Sequence, residues 1–246
     1  MKKLENFIFI HDQEIILDFI NKNRFHNLED FKWVFLGNKP TDKISNLKNL
    51  IIVRDLKINI EQYPKFTSFT GWYALHKNGL LNSEYVNLFE YDIHYIDEFI
   101  DINKQILKKE PDFIGYFPMT ISDPVYTIMP QYSIELIEAV RNRTDFDIPS
   151  MLSKMHPNAL WSSSSNSTWK VSALIEYVEW FSQFIDDIKN SEFCGHMHER
   201  SLSFYYFMKN LKVEMTHGLM IHVQLNSHGT SPLPPERAKK MYELLK

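Results

Sequence analysis

The chain has 246 residues, 44% of them hydrophobic and 24% charged, with a formal net charge of -4 and a pI near 6.2. That balance excludes a disordered or fibrous protein, and the dispersed lysines give no basic field for a long nucleic acid. Cys194 is the lone cysteine, which excludes an intrachain disulfide and a cysteine-built zinc site and fits a reducing, cytoplasmic compartment.

The first apolar run, Phe7 to Ile10, stops at His11 and Asp12, too short for a signal-peptide core. No window reaches the roughly 18 continuous apolar residues of a membrane-spanning helix, so any membrane contact is expected to be peripheral. Asn6 to His11 reads as a strand, Asp12 to Asn23 as a helix, and Phe31 to Gly37 and Asn49 to Asp55 as further strands. Lys32 to Gly37 and Leu50 to Val53 are apolar on both faces, as in strands covered by helices within a parallel sheet. The expected class is therefore α/β, with a central, mostly parallel sheet flanked by helices.

Thr67 to Leu81 predicts a helix stopped at Asn78-Gly79, Glu84 to His94 a strand, and Ile96 to Lys109 an amphipathic helix ended by Pro111. Phe113 to Phe117 predicts another strand. Prolines break the chain between Met119 and Pro130, and a helix follows over Gln131 to Asn142. Ser162 to Ser167 reads as a loop between Trp161 and Trp169. Lys170 to Asn190 predicts a helix, and a second is expected from His198 to Lys209 after a break at Gly195. Val213 to Val223, a turn at Gly229 and a helix over Pro235 to Leu245 complete the chain.

Val86 to Asp92 is a strand that delivers Glu90 and Asp92 two residues apart, so both carboxylates are expected on the same side. Paired carboxylates at a strand end suit a hard divalent cation bridging phosphate oxygens; a helix cap beside a solvated acid gives the same pattern. Open α/β sheets bind ligands beyond the carboxyl ends of their strands, which favours a site here. Gly195-His-Met-His-Glu-Arg200 is a second cluster. Glu199 there is an ionisable candidate site residue or a dipole-complementing acid, and Arg200 a candidate oxyanion clamp or a surface partner. Trp72, Tyr73 and Lys77 are candidates to line a donor pocket, and Trp161, Asn166 and Trp169 to form an acceptor platform; simple core packing competes for each ring. His217, His222 and His228 are candidate metal ligands near the end.

On these residues the chain resembles the GT-A type of glycosyltransferase, whose acidic D-x-D motif ends a central strand after a nucleotide-binding half. Phe89-Glu-Tyr-Asp92 is similar to that motif, with Glu in the first acidic position. The order also matches: a strand ending in His11-Asp12, a helix holding Gly71-Trp72-Tyr73 and Lys77-Asn78-Gly79, then the acidic strand. The resemblance implies one Rossmann-like domain over residues 1–246, with 1–95 binding the nucleotide-sugar and 96–246 the acceptor. It implies a nucleotide-diphosphate sugar as donor, a glycan or lipid-linked acceptor, and Mn or Mg held by Glu90, Asp92 and a late histidine, His222 ahead of His217. His11 joins the implied donor residues and His198 the implied acceptor residues. Glu199 is similar in placement to the base of inverting members.

Two other classes stay open on sequence alone. His196-x-His198 with the later histidines would suit a metal-dependent hydrolase, and the same aromatic and acidic groups would suit a carbohydrate- or nucleotide-binding module without turnover. A G-x-G-x-x-G fingerprint, a Walker-type loop and a G-x-S-x-G elbow are all absent from the sequence.

Overall fold

The computed structural model describes residues 3–21, 31–37, 40–45, 47–120, 129–222 and 235–244. In chain order the strands and helices begin with β1 (Leu4–Ile10), α1 (Gln13–Asn21), β2 (Phe31–Phe35), α2 (Asp42–Ser45), β3 (Leu50–Ile52), α3 (Ser68–Lys77), β4 (Tyr85–Glu90), β5 (Ile93–Tyr95) and α4 (Phe99–Leu107). They continue with β6 (Phe113–Gly115), β7 (Pro118–Thr120), α5 (Ile134–Arg143), α6 (Ile148–Lys154), β8 (Leu160–Ser162), β9 (Ser167–Lys170) and α7 (Val171–Ser182). The last are α8 (Ile185–Ile188), α9 (Cys194–Lys209), β10 (Val213–Met215), β11 (Met220–His222) and α10 (Pro235–Leu244).

Seven strands form the central sheet in the order β10-β6-β9-β4-β1-β2-β3. Every neighbouring pair is parallel except those made by β9, which runs antiparallel between β4 and β6. Strand alternation divides the core. Phe7 and Phe9 face α3, α5, α7 and α9 on one side, while Ile8 and Ile10 face α1 and α4 on the other. With both faces covered, the central strands carry the continuous apolar runs seen in the sequence.

A buried polar chain pins the register of the middle strands. Asn87 Nδ2 on β4 donates to Asn6 Oδ1 on β1 at 2.7 Å, Asn87 Oδ1 accepts from Thr168 on β9, and Tyr116 donates to Asn103 Oδ1 at 3.0 Å. A one-residue slip would bury these groups unpaired, which costs on the order of 1–3 kcal/mol each. Helix α3 can lie close on the sheet because Gly71 has no side chain. A Cβ there would sit 2.5 Å from the ring of Phe9. The helix ends as expected at Asn78-Gly79, with Gly79 at φ +66° and Leu80 N–H bonded to Leu75 O at 2.9 Å.

Four expectations are corrected. The strand over Glu84 to His94 breaks after Glu90, because Tyr91 N–H bonds Phe9 O and the chain then turns so that β5 leaves the sheet to pair with β11. The strand over Asn49 to Asp55 gives way after Ile52 to a 3-10 turn. The helix over Lys170 to Asn190 is interrupted between α7 and α8, and its first residue belongs to β9. The expected break at Gly195 is instead inside α9, which starts at Cys194 and places Glu199 in its second turn. Gly229 and His228 lie outside the described residues.

Candidate functional site

The carboxyl ends of β1 and β4 open on a cavity of about 390 Å³. His11 follows β1, and Glu90, Tyr91 and Asp92 follow the line of β4. The opposite wall comes from Lys65, Thr67 and Ser68, which lead into α3, and from Glu192, Gly195, His196 and Glu199 at the start of α9. Gly195 permits that wall to close up: a Cβ would lie 3.0 Å from Thr67 Oγ1 and 3.3 Å from the Lys65 carbonyl. Thr67 itself has φ 50° and ψ -126°, a conformation strained for a β-branched residue and of the kind that persists where surrounding packing imposes it.

The serine-rich segment is the scaffold between the two acidic walls. Asn166 Oδ1 accepts the backbone N–H of Glu90 at 2.7 Å, and Ser165 Oγ donates to Glu90 Oε1 at 2.6 Å. Asn166 is held in turn by Ser164 Oγ, and Ser162 N–H donates to Ser203 Oγ on α9 at 3.0 Å. From the other side, Arg200 Nη1 donates to the Ser163 carbonyl at 3.1 Å and to Glu199 Oε2 at 2.9 Å. One short loop therefore fixes Glu90 and Glu199 relative to each other.

The two glutamates are driven in opposite directions. Burial, then the charges of Glu199 and Asp92, push Glu90 up to about 7 against the lowering effect of the Ser165 hydrogen bond. Burial would raise Glu199 as well, but the Arg200 guanidinium and His196 outweigh it and hold the carboxyl below its ordinary range. His196 Nδ1 is 3.8 Å from Glu199 Oε2. Tyr91 is raised by burial and by Asp92, Glu90 and Asp12, a further sign of a negative field.

The raised Glu90 has a measurable consequence. Between pH 4.5 and about 7 the unfolded chain releases this proton while the folded chain keeps it, so raising pH through that window favours unfolding. Glu90→Gln removes this loss. Relative to wild type, the variant is expected to gain roughly 2–3 kcal/mol across the window in chelator-treated protein, and denaturant titrations at several pH values read it directly. A difference that does not change with pH would contradict the raised pKa.

His11, Glu90, Asp92 and Glu199 thus line one cavity. Others do not line it. Trp72 and Trp169 are 1% and 0% exposed and pack edge to face at 6.4 Å, and Trp161 is 0% exposed against Phe204. His198, read as an acceptor residue, is fully buried among Phe69, Trp72, Tyr177 and Phe181, and burial lowers its pKa to about 3. These rings are core because α3, α7 and α9 meet over β9. Tyr73 packs against that core too. Asn166 is a buried scaffold residue rather than part of an open platform, and Arg200, also buried, donates through Nη1 to Glu199 and the Ser163 carbonyl. Lys77 sits at the end of α3 away from the cavity, paired with Glu179 Oε1 at 2.6 Å. Lys77→Ala is accordingly expected to leave nucleotide affinity within about twofold of wild type in calorimetric titrations; a larger loss would return it to the site.

His217 is exposed, while His222 lies in β11 with its backbone opposite Ile93, the residue after Asp92. Among the described residues no group of three His, Cys, Asp or Glu side chains is arranged to hold a metal. Lys65, Thr67, Ser68, Tyr91 and Glu192 were not singled out by sequence. Thr67-Ser68 just ahead of the α3 pattern was the available signal, since such residues favour helix starts.

No family model matches the sequence, and no curated protein does. Among solved structures, the apo form of the bifunctional glycosyltransferase WbbM superposes with a TM-score of 0.60 at 14% identity, covering 94% of this chain. The chain has a GT-A-like fold. It spans 48% of that WbbM chain, about half its length. Weaker overlaps, each with a TM-score of 0.45, occur with the galactosyltransferase LgtC in complex with donor and acceptor sugar analogues and with a putative glucose-1-phosphate thymidylyltransferase from Bacillus anthracis. LgtC is 9% identical over 98% of this chain and 95% of its own, and the thymidylyltransferase 7% identical over 99% and 95%. Neither bears on the assignment. Among the described residues no helix is long and apolar enough to cross a membrane.

Proposed function

We propose that the protein is a glycosyltransferase, hexosyltransferase-like, that moves a sugar from a nucleotide-diphosphate donor to a hydroxyl of a glycan or lipid-linked acceptor in cell-surface polysaccharide or glycoconjugate synthesis. The observation that carries this reading is the meeting of Glu90, Asp92 and Glu199 in one cavity at the carboxyl edge of a GT-A-like sheet. Residues 1–95 hold the donor in this reading, and residues 96–246 supply Glu199 and the acceptor side.

Glu90 and Asp92 fit a divalent cation, Mn or Mg. Their oxygens suit a hard ion, and a cation would offset the burial and the Glu199 and Asp92 charges that raise Glu90. Bound there, the ion would neutralise the charge of the departing diphosphate. His222 is the proposed third protein ligand on the strength of its register opposite Ile93.

Glu199 is the proposed base. Kept ionised by Arg200 and His196, it accepts the proton of the acceptor hydroxyl as the new bond to the anomeric carbon forms. The bond from that carbon to the diphosphate oxygen breaks at the same time, and the nucleoside diphosphate leaves with inversion at the sugar. His11 and Tyr91, packed edge to face at 5.3 Å, stand at the donor side of the cavity. The hydrolase alternative is weakened because His196 lines the cavity while His198 is buried in the aromatic core, so the pair cannot share a ligand set.

The test is release of nucleoside diphosphate from a panel of nucleotide sugars, with Mn or Mg and with glycan and lipid-linked acceptors, followed by the anomeric configuration of the product. Acceptor-dependent release supports the reading. Tight nucleotide binding without turnover on any acceptor would favour a binding module instead.

A further inference from the structure

Helix α10 is tied to α5 and to the segment before α9 by one side chain, Arg237. Arg237 Nη1 and Nη2 donate to Glu135 Oε1 and Oε2 at 2.7 and 2.8 Å, and Nε donates to the Gln131 carbonyl at 2.8 Å. The guanidinium carbon lies 4.3 Å from the centroid of the Phe193 ring. The side chain is 12% exposed, so this is a paired and largely desolvated fork rather than a surface contact. Glu135 also accepts from Ser191 at 3.3 Å, and its pKa is lowered because Arg237 outweighs the effect of burial.

The contacts join three segments: the turn at Gln131, the start of α5 at Glu135, and the link into α9 at Ser191 and Phe193. Phe193 directly precedes α9. Its ring meets Tyr132 at 5.5 Å, and Tyr132 meets His196 at 4.5 Å. His196 faces Glu199 Oε2 at 3.8 Å one turn further along the helix. A chain of aromatic contacts therefore runs from Arg237 to the residue that sits beside the proposed base.

We propose that Arg237 is a positioning residue for Glu199, acting through the Phe193–Tyr132–His196 stack; its catalytic consequence rests on the transferase reading given above. Removing the guanidinium leaves the part-buried Glu135 with Ser191 but without its cation, and removes the cation over the Phe193 ring. The first turns of α9 then sample other positions, while the donor side of the cavity, built from β1 and β4, is untouched. Turnover should suffer and donor binding should not.

The experiment compares wild type, Arg237→Ala, Arg237→Lys and Lys240→Ala. Lys240, on the same helix as Arg237, pairs with Glu138 of α5 and serves as the control for general loosening of α10. Two quantities are read: amide hydrogen exchange over residues 193–199 against β1 and β4, and kcat with donor KM. Arg237→Ala is expected to speed exchange over 193–199 by about tenfold with β1 and β4 unchanged, and to lower kcat by about tenfold with KM within twofold. Arg237→Lys should fall between, and Lys240→Ala should match wild type in both. Unchanged exchange over 193–199, equal acceleration in β1 and β4, or local acceleration with wild-type kcat would each overturn the proposal. If wild type transfers no sugar at all, the transferase reading falls, and the exchange arm alone decides whether Arg237 clamps the start of α9.

Discussion

Asp92→Asn is expected to reduce sugar transfer by about a thousandfold or more while leaving the fold intact. The substitution keeps the shape of the side chain and removes one negative charge from a cavity that already holds Glu90, Glu192 and Glu199. Stability should not fall, because Asp92 is one of the charges that make it costly to ionise the buried Glu90. Loss of that charge lets Glu90 ionise at lower pH. What is lost is half of the paired carboxylates that would carry a cation against the donor diphosphate. The checks are initial rates with saturating Mn or Mg, and a melting curve on the same sample. A variant with wild-type rates removes Asp92 from the donor site; a variant that fails to fold is answered by Asp92→Glu, which keeps the charge.

Glu199→Gln is expected to lower kcat by about a hundredfold to ten-thousandfold with donor affinity nearly unchanged. The amide keeps an oxygen for Arg200 Nη1, and Arg200 retains the Ser163 carbonyl, so the scaffold should hold. Only the capacity to take a proton disappears. In wild type the pKa of Glu199 is held below the ordinary carboxylate range by Arg200 and His196 acting against burial. The carboxylate is then lost only as pH falls below that range, and the acid limb of kcat should lie lower than for an unperturbed glutamate. An acid limb near pH 7 would point instead to Glu90.

The parts of this account that were legible in the sequence are those set by local pattern. Two-faced apolar runs announced β2 and β3, Asn78-Gly79 announced the end of α3, and the spacing of Glu90 and Asp92 placed acids at a strand end. The remainder depends on what packs against what. A ring that stacks on a sugar and a ring that fills a core have the same periodicity, so Trp72, Trp161 and Trp169 gave no sign that α3, α7 and α9 would converge over them. Ser162 to Ser167 read only as a loop between Trp161 and Trp169, serving an acceptor sugar or simply packed. Its hydroxyls in fact bond the segment's own backbone and the Asn166 amide, and several of its residues are fully buried. Gly195 read as a helix break, whereas its lack of a side chain lets α9 start against Thr67. The site inherits that geometry: Glu199 was found by its neighbours in sequence, but the loop that ties it to Glu90 is a product of the fold.

The central claim is that the cavity between β4 and α9 binds a nucleotide diphosphate with the help of a cation on Glu90 and Asp92. It is tested most directly by thermal-shift titration of wild type and Asp92→Asn with nucleoside diphosphates and nucleotide sugars, each with and without Mn or Mg. Binding to the folded state raises the melting temperature in proportion to the logarithm of ligand concentration over Kd. The account predicts a cation-dependent rise for one nucleotide family in wild type that is lost in Asp92→Asn. No rise with any nucleotide up to about 100 times a micromolar Kd, or a rise that survives unchanged in Asp92→Asn, would contradict it.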